Sequence, residues 1–517
     1  MAVEHHAGQT AARGEPLETS IKTSTRGALT SLAKRLPSIW KARRAARKLA
    51  LTLPEYEGTV ELPSSETIYS WIEGLCQTPH RRPGTPEGHV GERWIADRMR
   101  EMGIEGVALD PVPMTVWNAD NWSLHVDGEE IASFFIVNTA PTGPGGVTAP
   151  LVYVGEGGPT DFEQINVSGK IVVADMSFPS MPTGLVLKFM RAAYAISDPD
   201  GDVKLGYGQC LPFLRSTFIG GTDENSAPPN DVYWQSFKHG AAAVCLILRD
   251  QPSNSNTHYG PYDGIMKPLP GLWIGKGEGT RLRELASQGK EATFVLDSRT
   301  EPGMMHNVWG VLPGMSNEVI LITSHHDSPF EGATEDASGT AAVLAQAWAW
   351  ARVPKEQRPK TLVFVVDGGH FYGSLGGHSF AQEHKDIMQR ARVLITLEHL
   401  AAKEVEEKNG EYAETGRQAF TVMFTSSETE VIAAAMRALG KTKPKLTASI
   451  PSDFFAPVPT SDASGYVLEA GLPVISWIGC PYYLLDAHDT LDKIDKSQLV
   501  PVTKTATELV KTFMAMD

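Results

Sequence analysis

Cysteine is scarce in this sequence, and long apolar runs and an excess of basic charge are absent. The four cysteines, Cys76, Cys210, Cys245 and Cys480, have no CxxC spacing in 517 residues. This excludes a cysteine-based zinc site and a dense disulfide framework, and it fits a reducing compartment. No apolar stretch reaches the ~18–20 residues that a membrane span needs. The formal net charge is -15, so we expect no nucleic-acid or membrane partner, since such binding depends on a basic surface.

The N-terminus lacks the basic start and apolar run of a signal peptide, and we therefore expect a cytoplasmic protein. Residues 1–50 form a predicted N-terminal arm. Its second half, SLAKRLPSIWKARRAARKLALTLP, is basic and partly helical in pattern. Such an arm can dock on a partner subunit or an acidic face, which leaves a homo-oligomer open, or it can remain a solvated helix.

From Asn307 onward, strand patterns alternate with helical patterns. VILITSH, TLVFVVDGG, ARVLITLEHL and LEAGLPVISWIG are typical of buried strands, whereas SGTAAVLAQAWAWARV and KSQLVPVTKTATELVKTFMAM are typical of helices. This alternation predicts an α/β fold with a mostly parallel central sheet and helices on both faces.

Residues 145–299 have a different residue pattern, in which short apolar runs are separated by glycines. This pattern predicts a β-rich insertion. The main domain then consists of residues 51–144 and 300–517. Within the insertion, Ser177 to Trp234 is poorly periodic and rich in Gly, Pro and Asp. Segments of this length inside a compact region are usually functional or disordered, which makes this one a candidate lid over a site.

Acids and histidines follow three consecutive strands of the predicted sheet. Ligands of open α/β sheets bind outside the carboxyl ends of the strands, so these groups should converge on one site. They are His325, His326, Asp327, Glu335 and Asp336 after the first strand, Asp367 and His370 after the second, and Glu398 and His399 at the third. A fourth segment, PYYLLDAHDTLDKID, adds Asp486, His488 and Asp489. The spacing His325–x–Asp327 suits a metal-bound imidazole whose second nitrogen is held by a carboxylate.

Six motifs occur in the order found in a known family. They are GTPEGHVGERWIADRMREMGI, HHDS…GATEDASG, DGGHFYGS, LITLEHL, SDASGYVLEAGLPVIS and DTLDKID, spread from about Ser64 to the C-terminus. The sequence resembles the zinc exopeptidase family that includes bacterial leucyl aminopeptidases, glutamate carboxypeptidase and the transferrin receptor. The resemblance implies the phosphorylase/hydrolase-like aminopeptidase fold, with residues 145–299 as the protease-associated domain that many members insert.

The resemblance also implies a metal site that departs from the two-metal pattern of the family. The first ion's ligands fall on His325, Glu335 and Glu398, with Asp327 as the supporting acid. The general base falls on Asp367. Two ligands of the second ion fall on Gly368 and Leu485, which cannot bind a metal. The sequence therefore predicts one divalent ion, which can be zinc, manganese, cobalt or iron.

Six further residues are candidates for contacts with substrate or with a second metal: His370, His488, His326, Asp462, Tyr482 and Tyr483. By strand alternation, His399 should point away from Glu398 and be structural. A metal with open positions activates water and polarises a carbonyl. We therefore expect a hydrolase that cleaves an amide or other C–N bond in a specialised small molecule. A two-metal aminopeptidase or carboxypeptidase with relocated ligands, and an inactive binding protein, are the alternatives.

Overall fold

A computed structural model of the protein describes residues 25–176, 181–182, 193–202, 209–210, 219, 223, 225–227, 231–252, 255–261 and 263–517. Most of the candidate lid, Ser177 to Trp234, lies outside these residues and stays a prediction. None of the helices within the described ranges has the length and apolar character needed to cross a membrane.

Two helices near the start of the described residues begin at side-chain caps. Ser64 and Thr85 accept the backbone N–H groups of Thr67 and Gly88, which fixes the first turns of α2 and α3. The helices are α1 (Thr25–Ala50), α2 (Ser65–Leu75), α3 (Pro86–Glu101), α4 (Pro159–Gln164), α5 (Val232–Lys238), α6 (Lys276–Ser287), α7 (Gly339–Ala351), α8 (Leu375–Glu383), α9 (Lys385–Arg390), α10 (Thr429–Thr442), α11 (Ala463–Ala470) and α12 (Lys496–Ala515).

Within the described ranges the strands form one large sheet and two small antiparallel pairs. They are β1 (Glu105–Val126), β2 (Glu129–Ile131), β3 (Ser133–Phe135), β4 (Val147–Tyr153), β5 (Ile171–Met176), β6 (Met181–Pro182), β7 (Ala195–Ser197), β8 (Gln209–Cys210), β9 (Ala243–Leu248), β10 (Gly271–Gly275), β11 (Glu291–Leu312), β12 (Val319–His325), β13 (Thr361–Asp367), β14 (Ala391–Glu398), β15 (Lys403–Lys408), β16 (Glu411–Gln418), β17 (Thr421–Thr425), β18 (Thr447–Pro451) and β19 (Val474–Gly479).

The large sheet has the strand order β3-β10-β9-β5-β4-β11-β13-β12-β14-β19-β17-β18-β7. It contains two sets of parallel strands. The C-terminal set is β13, β12, β14 and β19, and the insertion set is β10, β9, β5 and β4. The long strand β11 joins them, because its start pairs with β4 and its end pairs with β13. The predicted α/β class with a mostly parallel sheet is confirmed.

The insertion contains more helix than its glycine-punctuated sequence predicts. The segment LPGLWIGKGEGTRL divides into strand β10 and the start of helix α6. Its strands and helices share a hydrophobic core that also includes Phe371 and Leu485 from the C-terminal part of the chain. The insertion therefore packs against loops at the carboxyl ends of the C-terminal set. The division into domains itself remains a prediction.

A second hydrophobic core surrounds helix α7, which is buried on nearly all sides. This helix contacts β12, α2 and α12, so apolar residues around its whole circumference are expected. It leads directly out of the loop that follows β12. The described part of the predicted N-terminal arm, helix α1, packs on the same part of the chain: α1 contacts α10, Ile39 and Ala46 are buried, and Arg35 pairs with Asp453. Helix α1 is thus docked on its own chain.

Candidate metal centre

The carboxyl ends of β12, β13 and β14 bring the predicted groups together. His325 is the last residue of β12 and lies opposite Asp367, the last residue of β13. Glu398 is the last residue of β14, which pairs with β12 on its other side. All three side chains are buried, with exposures of 1% or less. The convergence expected from strand order is present.

The loop after β12 is shaped by a tight turn and by two buried acids. Gly332 has a φ of 56°, and an added Cβ would overlap Ser328 Oγ, so only glycine fits there. The Asp336 carboxylate accepts hydrogen bonds from the N–H groups of His399 and Gly339. Asp336 therefore fixes both the start of α7 and the residue after β14.

A second buried acid, Asp489, holds the same loop from the other side. Its carboxylate accepts the backbone N–H groups of Thr334 and Glu335 at 2.8 to 3.1 Å. Burial raises the pKa of Asp489 to about 7, against these two backbone hydrogen bonds. Asp489 thereby fixes the backbone from which Glu335 projects.

The imidazole of His325 is oriented by its neighbours. Its Nδ1 lies 3.4 Å from Asp327 Oδ1 and 3.2 Å from the backbone oxygen of Asp327. The Asp327 carboxylate also accepts the N–H groups of His370 and Phe371 at 3.3 and 3.4 Å. Nε2 of His325 then faces the acids, 3.5 Å from Glu335 Oε1 and 3.9 Å from Asp462 Oδ2. This is the arrangement that a metal-binding histidine requires.

Four buried groups lie close enough to bind one ion: His325, His370, Glu398 and Asp462. Each offers a ligand atom, and these atoms all lie within 4.8 Å of one another. The His325 and His370 rings stack at 4.1 Å with a 6° tilt, and His370 Nδ1 lies 2.6 Å from Asp462 Oδ1. The structure thus places His370 and Asp462, two residues predicted to contact substrate or a second metal, in the group of possible ligands.

The oxygens of this cluster are suited to a cation. Glu398 Oε1 and Asp462 Oδ2 are buried and have no hydrogen-bond partner among the residues that the structure describes. Buried carboxylate oxygens are almost always paired, and a bound cation would satisfy both. Two imidazoles and two carboxylates match zinc and the other divalent ions that bind mixed nitrogen and oxygen donors. The residues present therefore fit a divalent metal.

The predicted ligand Glu335 is paired with His399, whose Nε2 lies 2.9 Å from Glu335 Oε2. The expectation that His399 points away from the site is wrong. Alternation holds only inside a strand, and β14 ends at Glu398. His399 has a φ of 54°, which turns its side chain back toward His325, with ring centroids 5.7 Å apart. His325, Glu335 and His399 form a second group of close ligand atoms.

The protein environment spreads the pKa values of these groups apart. Burial, aided by Asp462, raises the pKa of Glu398 to about 8. Burial also favours the neutral form of Glu335, but the imidazoles of His399 and His370 lower its pKa to about 2. Burial acts against the charged form of His399, yet Glu335 raises its pKa to about 9. Glu335 and His399 are therefore an ion pair at neutral pH in the metal-free protein.

Asp367, the predicted general base, lies beside this cluster. Its Oδ2 accepts a 2.7 Å hydrogen bond from the hydroxyl of Tyr466. Burial and the nearby Asp462 raise its pKa well above the usual range. A carboxyl group with a raised pKa is a better proton acceptor once ionised, as general-base catalysis requires.

The two positions where the resemblance implies lost ligands are filled by other groups. A Cβ on Gly368 would lie 3.0 Å from His326 Nε2 and 3.2 Å from Met305 Sδ, so a longer side chain would require both to move. Leu485 is buried in the insertion core together with Phe371. Neither position can supply a metal ligand.

The remaining predicted contact residues lie outside the cluster. His326 Nε2 donates to the backbone oxygen of His306 at 2.9 Å. His488 is partly exposed, and its Nδ1 lies 2.6 Å from Asp486 Oδ1. Tyr483 is fully buried and donates to the backbone oxygen of Lys403, which gives it a structural role. Tyr482 lies next to Tyr412, with ring centroids 6.0 Å apart.

Sequence reasoning missed the importance of Arg81. This arginine is fully buried, and its guanidinium donates to the backbone oxygens of Leu75, His326, Glu331, Gly332 and Glu335. Four of these acceptors belong to the loop after β12, so Arg81 braces that loop. Its motif, HRRPGTPEGH, resembles an ordinary surface loop and contains no signal of this role.

Comparisons with known proteins found one matching family model and several similar structures. Residues 307–510 match the model of peptidase family M28. The zinc aminopeptidase BSAP from Bacillus subtilis superposes with a TM-score of 0.64 at 20% identity, over 87% of this chain and 95% of that one. An aminopeptidase from Aneurinibacillus sp. strain AM-1 gives 0.57 at 20% identity, over 87% and 92%. A peptidase M28 precursor from Shewanella amazonensis SB2B gives 0.63 at 17% identity, over 93% and 98%. No match was found among curated proteins.

At these identities the solved structures show that the fold is shared, and the family match covers the strands that carry the cluster. The predictions of a zinc-exopeptidase-type fold and of a metal-dependent hydrolase are confirmed at this level. Residues 307–510 are thus similar to peptidase family M28, and the chain is a metal-dependent, peptidase-like hydrolase that shares the fold of the zinc aminopeptidases.

Proposed function

We propose that the protein is a single-metal hydrolase that cleaves an amide or other C–N bond in a small molecule. The observation that carries this proposal is the buried cluster of His325, His370, Glu398 and Asp462. Its four ligand atoms lie within 4.8 Å of one another, and two of its carboxylate oxygens have no hydrogen-bond partner among the described residues. We assign the ion to these four residues, with Asp327 orienting His325.

The surroundings of the cluster support one ion over two. The family's second ion needs side chains where this chain has Gly368 and Leu485. The imidazole of His326 lies against Gly368, and Leu485 packs into an apolar core. Glu335, the residue that would bridge two ions, instead forms an ion pair with His399, with Oε2 and Nε2 2.9 Å apart.

A divalent ion at this position would polarise the scissile carbonyl and lower the pKa of water. Asp367 is the group that accepts the proton from the attacking water, at the carboxylate oxygen that Tyr466 does not hold. Tyr466 fixes the orientation of that carboxyl group. The proton then passes from Asp367 to the leaving nitrogen.

The burial of the cluster supports a small substrate. Its most exposed side chain is His370, at 8%, and His325 is fully buried. Aromatic groups adjoin it, with Phe371 against both histidines and Tyr259 behind Phe371. A compact amide with an apolar substituent suits these surroundings better than a polypeptide end.

One observation favours a second candidate function, a two-metal aminopeptidase. His325, Glu335 and His399 form another group of close ligand atoms, so a second ion could displace the Glu335–His399 ion pair. The relocated ligand would then be His399. His488, which could have played this part, lies beside Asp486 and Tyr412.

Metal content distinguishes the two candidates. Purified wild type, His399→Gln and Asp462→Asn would be compared by elemental analysis, and each would be assayed on aminoacyl anilides and on small amides. We expect His399→Gln to keep the full metal content, Asp462→Asn to lose one ion, and small amides to be cleaved in preference to anilides. Loss of an ion in His399→Gln together with broad anilide cleavage would establish the two-metal peptidase instead.

A further inference from the structure

We propose that His89, Glu92 and His306 form a second binding site for a divalent transition-metal ion such as Zn²⁺, separate from the centre at the strand ends. His89 and Glu92 lie on α3, three residues apart and therefore on one face of the helix. His306 lies on β11. The ligand atoms of all three residues fall within 4.8 Å of one another.

The two imidazoles meet at a single carboxylate oxygen. His89 Nδ1 and His306 Nδ1 each lie 2.7 Å from Glu92 Oε2, and the rings form an edge-to-face pair with centroids 5.3 Å apart. Around a tetrahedral zinc ion with bonds of about 2.05 Å, ligand atoms lie about 3.4 Å apart. A widening of about 0.7 Å in these nitrogen–oxygen distances would admit the ion.

The site combines a fixed buried acid with accessible imidazoles. Glu92 is 1% exposed, and its other oxygen, Oε1, accepts the backbone N–H of His306 at 3.0 Å, so the carboxylate is held in place. The His89 and His306 side chains are 28% and 27% exposed. An ion can therefore enter from solvent, and water can complete its coordination.

Occupation of this site would fasten α3 to β11 next to the strand-end centre. The backbone oxygen of His306 accepts from His326, the neighbour of the ligand His325. Helix α3 follows directly on the loop that carries Arg81, which braces the loop after β12. The ion would have a structural role. It should raise the free energy of unfolding by an amount that grows with the ratio of free ion concentration to Kd.

A fourth group of close ligand atoms provides a matched control. Asp110, Glu383 and His384 also lie within reach of one another, and His384 Nε2 lies 2.6 Å from Asp110 Oδ2. This group has a single imidazole, and Glu383 is exposed. Transition ions prefer sites with several imidazoles, so we expect no tight binding there.

The test counts ions by difference. Metal-free wild type, a His89→Gln/His306→Gln double variant and His384→Gln would be titrated with Zn²⁺ alone, and melting temperatures would be recorded with and without the ion. We expect the double variant to bind one Zn²⁺ fewer than wild type and to gain less in melting temperature. His384→Gln should match wild type. The same comparison in the Asp462→Asn background should again differ by one ion, whatever the strand-end centre holds.

Equal stoichiometry and equal zinc-dependent stabilisation in wild type and the double variant would overturn the proposal. The three residues would then form only a hydrogen-bonded group, in which the Glu92 carboxylate accepts one N–H from each imidazole. The outcome is independent of the single-metal proposal, because that proposal depends on the ion removed by Asp462→Asn.

Discussion

The C-terminal set and the insertion set are both runs of four parallel strands, but only the C-terminal set ends in groups that can bind a metal. Its strands end at His325, Asp367, Glu398 and Gly479, whereas the insertion strands end at Tyr153, Met176, Leu248 and Gly275. Both sets consist mostly of buried apolar residues, as parallel strands between two layers require.

The difference shows which part of the architecture carries the chemistry. A parallel sheet brings strand ends to one edge, but the residue types at that edge decide whether a site forms. In the insertion set the nearest acid, Asp175, precedes the end of β5, is buried, and is paired with the partly exposed Arg283. The insertion set has no such groups at its strand ends, and its core packs against Phe371 and Leu485 in the part of the chain that carries the cluster.

The largest effect is expected from removing a ligand at the strand-end cluster. Glu398→Ala should lose one ion per chain. It should reduce the rate of amide hydrolysis by more than ~100-fold, which is the loss typical of removing a residue that only hydrogen-bonds a metal ligand. Asp175→Asn is the matched change in the insertion set and should leave metal content and turnover unchanged. Elemental analysis and steady-state kinetics measure both. A comparable loss in Asp175→Asn would remove the distinction between the two sets.

Arg81 and Arg283 allow the same comparison for stability. Arg81→Met should lower the free energy of unfolding by about 3 kcal/mol or more, because buried carbonyl oxygens lose charged hydrogen bonds. Arg283→Met breaks a partly exposed ion pair and should cost about 1 kcal/mol at most. Urea unfolding of both variants gives the two values. Similar values would show that Arg81 does not brace the site.

Two glycines test whether the loop after β12 is more constrained than a turn of the insertion. Gly332→Ala combines left-handed backbone with overlap on Ser328 and should cost about 2–5 kcal/mol. Gly289 has a φ of 65° but open space around it, so Gly289→Ala should cost about 1–2 kcal/mol. Thermal and urea unfolding would measure the difference. Equal costs would mean that the loop relaxes around the added methyl group.

The smallest effect concerns the Glu335–His399 pair in metal-free protein. Glu335 raises the pKa of His399 from 6.5 to about 9. The ion pair therefore contributes its full stabilisation of the fold below about pH 6.5 and loses it as the pH rises through about 9. The lowered pKa of Glu335, about 2, keeps the pair intact down to mildly acidic pH. With EDTA present, wild type should exceed His399→Gln in stability by more at pH 6 than at pH 10. A difference that does not change with pH would contradict the ion pair.

The sequence predicts the parts of this structure that depend on local pattern. Buried strands and alternating helices define the C-terminal set, and chain order alone places His325, Asp367 and Glu398 at one edge.

Other features depend on backbone geometry or on contacts between distant residues. His399 turns into the site because the strand stops one residue earlier, which alternation cannot anticipate. Asp462 meets His370 across 92 residues, and Arg81 reaches the loop after β12 across about 250. No spacing rule connects such pairs, so the composition of the ligand cluster became visible only in three dimensions.

Anomalous diffraction at the zinc edge from crystals soaked in Zn²⁺ distinguishes one ion from two at the strand ends, because it counts ions and locates them. We expect a single peak there, within coordination distance of Glu398 and Asp462, with Glu335 still paired to His399. Two peaks about 3.5–4 Å apart at that edge, with Glu335 between them, would show a two-metal centre and contradict this expectation.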